Sequence, residues 1–124
     1  MAWNTSFRNY TAEAAIAAHR IVKPGATDGS VLQAAAATDA LIGVTEGLAP
    51  EAGERVDTVK SGIADVEYGG AVTRGQLLTA DADGKAVAAA PAAGANVRII
   101  GVAEVSGVAG DIGQVLIAPG LMQG

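Results

Sequence analysis

The sequence has 124 residues and a mass of 12.2 kDa, a size that suits one compact domain. Its formal net charge is −5 and it contains only eight Lys and Arg residues, which argues against nucleic acid as a partner because phosphate binding depends on those cations. There is no cysteine, so disulfides and thiolate metal sites are excluded.

The apolar residues are mostly small. There are 28 Ala, as many as Val, Leu and Ile together, and only six Met or aromatic residues. Burying a large aliphatic side chain contributes about 1.5–3 kcal/mol, whereas Ala contributes little. The core is therefore thin, and we expect a subunit that is stabilised by its partners.

The first eleven residues hold three of the four aromatic residues, Trp3, Phe7 and Tyr10. Aromatic residues and Arg dominate binding hot spots. We therefore predict that residues 1–11 are an extended N-terminal arm whose Trp3, Phe7, Arg8 and Tyr10 bind another protein, either a neighbouring subunit or a larger assembly to which the subunit attaches. The alternative is that the arm folds back and plugs its own domain. The chain start has no signal-like segment and no apolar run approaches a membrane span, so we expect cytosolic synthesis and no membrane.

A repeat organises the rest of the chain. Ile42-Gly43-Val44-Thr45-Glu46 returns as Ile100-Gly101-Val102-Ala103-Glu104, and an Asp-Gly pair and an Ala-Gly pair flank each copy in the same order. Self-similarity of this kind indicates duplicated structural units. We predict a single β domain over residues 12–124, built from units of about 12–62 and 67–120 that are each too small to bury a core alone.

Within each unit the local patterns favour strands. Ala64–Tyr68 alternates apolar with acidic residues, and Arg98–Val102 and Gln114–Ile117 are short β-branched runs. The pairs Asp28-Gly29 and Asp83-Gly84 lie between apolar segments and predict one hairpin in each unit.

Two Ala-rich stretches, Thr11–Arg20 and Gln33–Leu41, have helix propensity when considered alone. Their counterparts in the second unit contain Gly69-Gly70 in one case and Pro91 with Gly94 in the other, which break helices. We therefore predict that neither stretch is helical and that the fold is mainly β.

No constellation for catalysis or for a metal emerges. His19 is the only histidine and has no cysteine beside which to build a zinc site. Asp81-Ala82-Asp83-Gly84 lacks the later ligands of a calcium loop and predicts a polar turn. The repeated Glu46 and Glu104 are the best acid–base candidates, but solvated strand ends explain them as well. Glycines 107, 110 and 113 are interpreted as turns. We expect no enzyme activity and no cofactor.

The order of these motifs resembles tailed-bacteriophage capsid decoration proteins, also called cement proteins. The matching residues are Ile21-Val22, Asp28-Gly29, Ile42-Gly43-Val44 and Ala52-Gly53, and again Leu77-Leu78, Asp83-Gly84, Ile100-Gly101-Val102 and Ala109-Gly110.

The resemblance covers roughly residues 12–120 and lies in the order and duplication of individually weak motifs. It implies a small β-barrel or β-sandwich subunit, usually a homotrimer, on the outer surface of an expanded phage head. There it would join neighbouring major capsid subunits, after assembly in the host cytoplasm, with no cofactor, nucleic acid or membrane involved.

The alternative is a β-structured tail or adhesin module that binds a host receptor or glycan. Such a module needs exposed aromatic residues on a rigid platform, whereas the repeat region contains only Tyr68.

Overall fold

The computed structural model describes residues 5–124, which form nine β-strands and no helix. The mainly β prediction is confirmed, as is the absence of helix from residues 11–20 and 33–41. The strands are β1 (Ser6–Ala12), β2 (Ile21–Pro24), β3 (Ser30–Gln33), β4 (Gly43–Thr45), β5 (Arg55–Glu67), β6 (Leu77–Ala80), β7 (Ala86–Ala88), β8 (Asn96–Ala103) and β9 (Ile112–Gln123).

The first five strands close into a small barrel. Their order is β1-β3-β2-β4-β5, and β5 pairs back with β1. The β1–β3 pair is parallel, and the other four pairs are antiparallel. Closure leaves none of these strands with an unpaired edge along its whole length, which protects a small sheet from edge-to-edge association.

The second half uses the same pairing order. Strand β5 is 13 residues long, and its later part pairs with β9, so that the second half has the strand order β5-β9-β8-β6-β7. A parallel bridge between Tyr68, just after β5, and Ala86 in β7 links the two ends of this order. Ile21 lies opposite Val44 in the first half as Leu77 lies opposite Val102 in the second. Each strand of the first half thus has a counterpart: β1 corresponds to the later part of β5, β2 to β6, β3 to β7, β4 to β8, and the early part of β5 to β9.

Both predicted hairpins are present. Strands β2 and β3 are joined through Asp28-Gly29, and β6 and β7 through Asp83-Gly84. Gly29 has a φ of 78° and Gly84 a φ of 70°, a region that glycine occupies without the steric cost of a Cβ.

The halves differ where the barrel closes. In the first half the Thr11 amide donates to the Gly29 carbonyl at 2.9 Å. At the corresponding place in the second half, the Glu67 amide donates to the His19 carbonyl at 3.1 Å, and the Gly84 carbonyl accepts from the Ile21 amide at 2.8 Å. Backbone of the first half therefore occupies the seam of the second, which is closed only at the Tyr68–Ala86 bridge.

Two hydrophobic clusters follow from this arrangement. The interior of the first barrel holds Tyr10, Ala12, Ile16, Val22, Val31 and Val56. The larger cluster combines the interior of the second half with residues from the outside of the first barrel, among them Ile21, Leu41, Val44 and Val59. The larger cluster joins the halves into one hydrophobic unit.

The predicted arm needs correction for residues 6–11. These residues belong to β1, which pairs with β5 from Ser6↔Ser61 to Thr11↔Arg55 and is an integral strand of the barrel. The predicted boundary between residues 11 and 12 therefore falls inside a strand. No local pattern predicts a partner strand for this segment, because β5 lies more than 40 residues away along the chain.

Candidate interaction surfaces

The four residues predicted to bind a partner do not form one surface. Trp3 lies outside the described residues. Phe7 is 54% exposed, and Arg8 is also exposed, but Tyr10 is only 4% exposed and belongs to the interior of the first barrel. Because side chains alternate along a strand, Phe7 lies on the opposite face of β1 from Arg8 and Tyr10. Tyr10 is therefore a core residue with its polar tip at the barrel end.

Arg8, Tyr10 and Lys60 form a cluster that we call the basic end. The Arg8 guanidinium lies 4.8 Å from the centre of the Tyr10 ring. The Lys60 ammonium donates to the Tyr10 hydroxyl at 2.9 Å and lies 5.3 Å from the ring centre. Within residues 5–124 neither cation forms a salt bridge. A positive surface held over an aromatic ring suits an acidic protein partner.

Lys60 was not identified from the sequence. It stands alone in a β-strand pattern, and only the pairing of β1 with β5 brings it to Tyr10 across 50 residues of chain. No local signal could have found it.

Phe7 borders a second surface on the other face of β1. A groove of about 300 Å³ runs beside Phe7, Glu46 and Leu48. Leu48 is 81% exposed, which makes it the most exposed large apolar side chain among residues 5–124, and the sequence analysis did not identify it. The groove therefore combines two accessible apolar groups with a carboxylate.

One wall of this groove is held rigid by a polar ladder across β1 and β5. Asn9 donates to the Asp57 carboxylate at 3.0 Å, and Arg55 donates to the Asn9 side-chain oxygen and, at 2.9 Å, to the Thr11 hydroxyl. Cross-strand hydrogen bonds of this kind fix side-chain rotamers. Phe7 consequently projects from an ordered surface.

The remaining candidates have structural roles. The predicted polar turn at Asp81 is confirmed, since its carboxylate accepts from the amides of Asp83 and Lys85, both at 2.9 Å. His19 has a φ of 59° and its Nδ1 lies 3.0 Å from the Asp65 carbonyl. No three His, Asp or Glu side chains in residues 5–124 converge as a metal-binding group.

The interpretation of glycines 107, 110 and 113 as turns is correct for Gly110 and wrong for Gly113 and for Gly107, which forms an antiparallel bridge with Val72. Gly110 has a φ of 91° and lies in a turn, whereas Gly113 lies within β9. A Cβ built on Gly113 would lie 2.3 Å from the Tyr68 ring. The glycine is needed there for space.

One charged network joins the halves. Glu67 binds Arg20 at 2.8 Å and Lys85 at 3.2 Å. Burial raises the pKa of this carboxyl, but the hydrogen bonds and charges of Arg20 and Lys85 outweigh burial, so the pKa lies below its ordinary value. The carboxylate therefore stabilises the contact between the halves in its ionised form.

No helix in residues 5–124 could cross a membrane. No family model and no curated protein sequence matches the chain. Among solved structures, the chain is similar to the head fiber gp8.5 N base of bacteriophage phi29, with a TM-score of 0.69 and 18% sequence identity over 92% of this chain and 94% of that one. At this identity the likeness establishes the fold, and it supports the predicted small β-barrel architecture over nearly the whole length of the chain.

Proposed function

We propose that the chain is a structural protein of a bacteriophage virion that binds the outer surface of the expanded head and stabilises contacts between major capsid subunits. The observation that carries the proposal is the likeness to a phage head fiber base along almost the full length of both chains. The order of the repeated motifs, which resembles capsid decoration proteins, is independent of that likeness. The proposal includes a homotrimer, assembly in the host cytoplasm and no catalytic activity.

The surfaces support a binding role. Phe7 and Leu48 are exposed large apolar side chains beside an ordered polar ladder, and exposed apolar groups on an ordered surface are typical of protein interaction sites. The basic end offers two cations on a chain of net charge −5. Of the predicted anchors Trp3, Phe7, Arg8 and Tyr10, we assign Phe7 to contact with the head and Arg8, positioned by Tyr10, to a separate protein contact on the other face of β1.

The test uses heads of the encoding phage that have been stripped of this chain. Purified protein added back should bind in a fixed number of copies per head and should raise the temperature at which the heads release DNA, because a ligand of the intact state stabilises that state. Heads that bind the protein but release DNA at an unchanged temperature would contradict stabilisation, and heads that bind none would contradict the whole proposal.

A pair of variants locates the binding surface. Phe7→Ala should weaken head binding at least about tenfold, the effect of losing one hot-spot side chain. Val108→Ala is the matched control, since Val108 is similarly exposed but lies in the loop between β8 and β9. Equal binding by both variants would remove Phe7 from the interface.

A further inference from the structure

A row of apolar side chains crosses the outer face of the second half. Direct cross-strand pairing joins the row through β5, β9, β8 and β6. Leu77 is 36% and Leu116 39% exposed, and the other two members are half-buried. We call the row the second-half stripe; its members are Ile63, Leu116, Val102 and Leu77.

Most of the corresponding row of the first half is covered. Ile21, Val44 and Val59 are fully buried because the second half packs over them in the larger hydrophobic cluster, whereas Phe7, the counterpart of Ile63 at the edge of the row, is exposed. Within residues 5–124, nothing covers Leu116, Val102 and Leu77 in the same way. These three positions are thus an internal interface in one half and an accessible surface in the other.

The end of the first barrel shows the reverse change. Where the second half has Ala64 and Ile117, each 2% exposed, the first half has the exposed Arg8 and the half-buried Lys60. The strand pairings establish this correspondence: Ala64 pairs with Val115 as Arg8 pairs with Thr58, and Ile117 follows Leu116 as Lys60 follows Val59. The end that is apolar and covered in the second half is therefore basic and partly accessible in the first.

The charges around the two open surfaces are complementary. Asp65 is exposed and lies two residues from Ile63 in β5, on the same sheet face as the stripe, and the exposed Glu104 lies just beyond the end of β8, two residues from Val102. The basic end carries Arg8 and Lys60, which form no salt bridge in the described part of the chain. The acidic groups beside the stripe are complementary to the two cations of the basic end, and the aliphatic stems of Arg8 and Lys60 suit the apolar side chains of the stripe.

We propose that the second-half stripe of one copy packs against the basic end of a second copy of this chain. The two surfaces are different, so the contact is heterologous and generates a closed ring or a filament according to the rotation between neighbours. A ring of three would match the homotrimer in the proposed function. The inference goes beyond head binding, and it is tested without heads so that its failure is separate from failure of that proposal.

The first measurement is sedimentation of the full chain over a range of concentrations. Leu116→Lys should weaken self-association at least about tenfold, since it places a positive charge against the cations of the basic end. Val108→Lys, an equally drastic change at a more exposed side chain in the loop between β8 and β9, should leave association unchanged. If Leu116→Lys reduces the melting temperature, Leu116→Gln serves in its place. A wild-type monomer at high micromolar concentration, or association unaffected at position 116, would overturn the proposal.

The second measurement tests that the two surfaces meet each other. Arg8→Ala removes a cation from the basic end, and Leu116→Lys disables the stripe, so each variant alone should sediment as a monomer at a concentration at which the wild type associates. Their mixture should contain a heterodimer, because each variant retains the surface that the other lacks, and this dimer cannot close into a ring. A mixture without heterodimer would overturn the head-to-tail arrangement.

Discussion

Tyr68 and Gly113 show how a single pair of positions differs between two halves of the same topology. Tyr68 is fully buried, its hydroxyl donates to the Val105 carbonyl at 2.7 Å, and its ring occupies the space above Gly113. Burial and then the charge of Asp111 raise the pKa of this hydroxyl. The first half has Ala12 and Val56 at the corresponding places, as the pairings of Tyr10 and Val66 establish. A large and a small residue have exchanged strands, which preserves the packed volume.

This exchange predicts strong coupling between the two sites. Gly113→Val should lower the free energy of unfolding by about 3 kcal/mol or more through overpacking, and Tyr68→Ala by about 3–5 kcal/mol through the cavity that it leaves. The double variant should lose clearly less than the sum, by about 1–3 kcal/mol, because each change relieves the other. Urea unfolding measures all three. Gly70→Ala is the control, since a Cβ there meets only Val87 at 3.9 Å. Strict additivity would show that the ring and the glycine do not share one space.

Glu67 gives the molecule a pH dependence. Its pKa is lowered in the folded state from the ordinary 4.5, so the ionised form stabilises the fold. That contribution is complete above pH 4.5 and is lost as the pH falls through the lower folded pKa. Glu67→Gln should therefore lower the melting temperature by a few degrees at pH 7 and by progressively less below pH 4.5. Glu104→Gln, at an exposed carboxyl, is the control. A difference between Glu67→Gln and wild type that persists at the lowest pH would contradict a charge-based contribution.

At the scale of elements, the two Asp-Gly hairpins share a glycine at positive φ but have different surroundings. Nothing lies within 4 Å of a Cβ built on Gly29, whereas one on Gly84 would meet the Gln33 side chain at 2.8 Å and the carbonyls of Ala34 and Ile21 at 3.1 and 3.2 Å. The second hairpin packs against the first half, and its Gly84 carbonyl accepts from the Ile21 amide in the seam between the halves. The first hairpin stands free.

The hairpins therefore form a matched pair for substitution. Gly29→Ala should cost about 1–2 kcal/mol, because Ala is strained at positive φ. Gly84→Ala should cost at least about 1 kcal/mol more, because the added methyl also displaces backbone that cannot move independently. Thermal unfolding of the two variants compares them directly. Equal costs would mean that the contact of Gly84 with the first half contributes nothing to stability.

Elements whose own residues carry a characteristic sequence pattern were predicted correctly, whereas elements whose role depends on pairing with distant strands were not. The Asp-Gly hairpins and the β-branched runs of β8 and β9 carry their conformation in their own residues. Strand β1 does not, because its aromatic residues have the composition of a binding segment and only pairing with β5 shows that Tyr10 faces a barrel interior. The sequence analysis did not identify Lys60 and Leu48 for the same reason, since each becomes part of a surface only through contacts with residues distant along the chain.

At the scale of the whole molecule, strand β5 and the larger hydrophobic cluster make the halves interdependent. Strand β5 supplies one wall to each half, and the residues His19–Ile21 occupy the seam of the second. All five strands of the first barrel end by residue 67. Its outer face nevertheless carries apolar side chains, such as Ile21, Val44 and Val59, that are buried only because the second half covers them. A closed ring of strands is therefore insufficient for an independent fold here.

This interdependence predicts that a fragment of residues 1–69 does not fold stably by itself, although it contains β1 to β5. Without the second half, Ile21, Leu41, Val44 and Val59, all at most 4% exposed in the intact chain, would face water. At about 1.5–3 kcal/mol for each large apolar side chain, the loss is about 6–12 kcal/mol, comparable to the total stability of a small domain. Circular dichroism should show no cooperative melting of the fragment, while the intact chain melts in one transition. Adding residues 70–124 as a separate peptide should restore cooperative melting, because that peptide supplies the missing cover and receives the wall that β5 provides. A fragment of residues 1–69 that melts cooperatively alone would show that the closed barrel, and not the shared cluster, is the unit of stability.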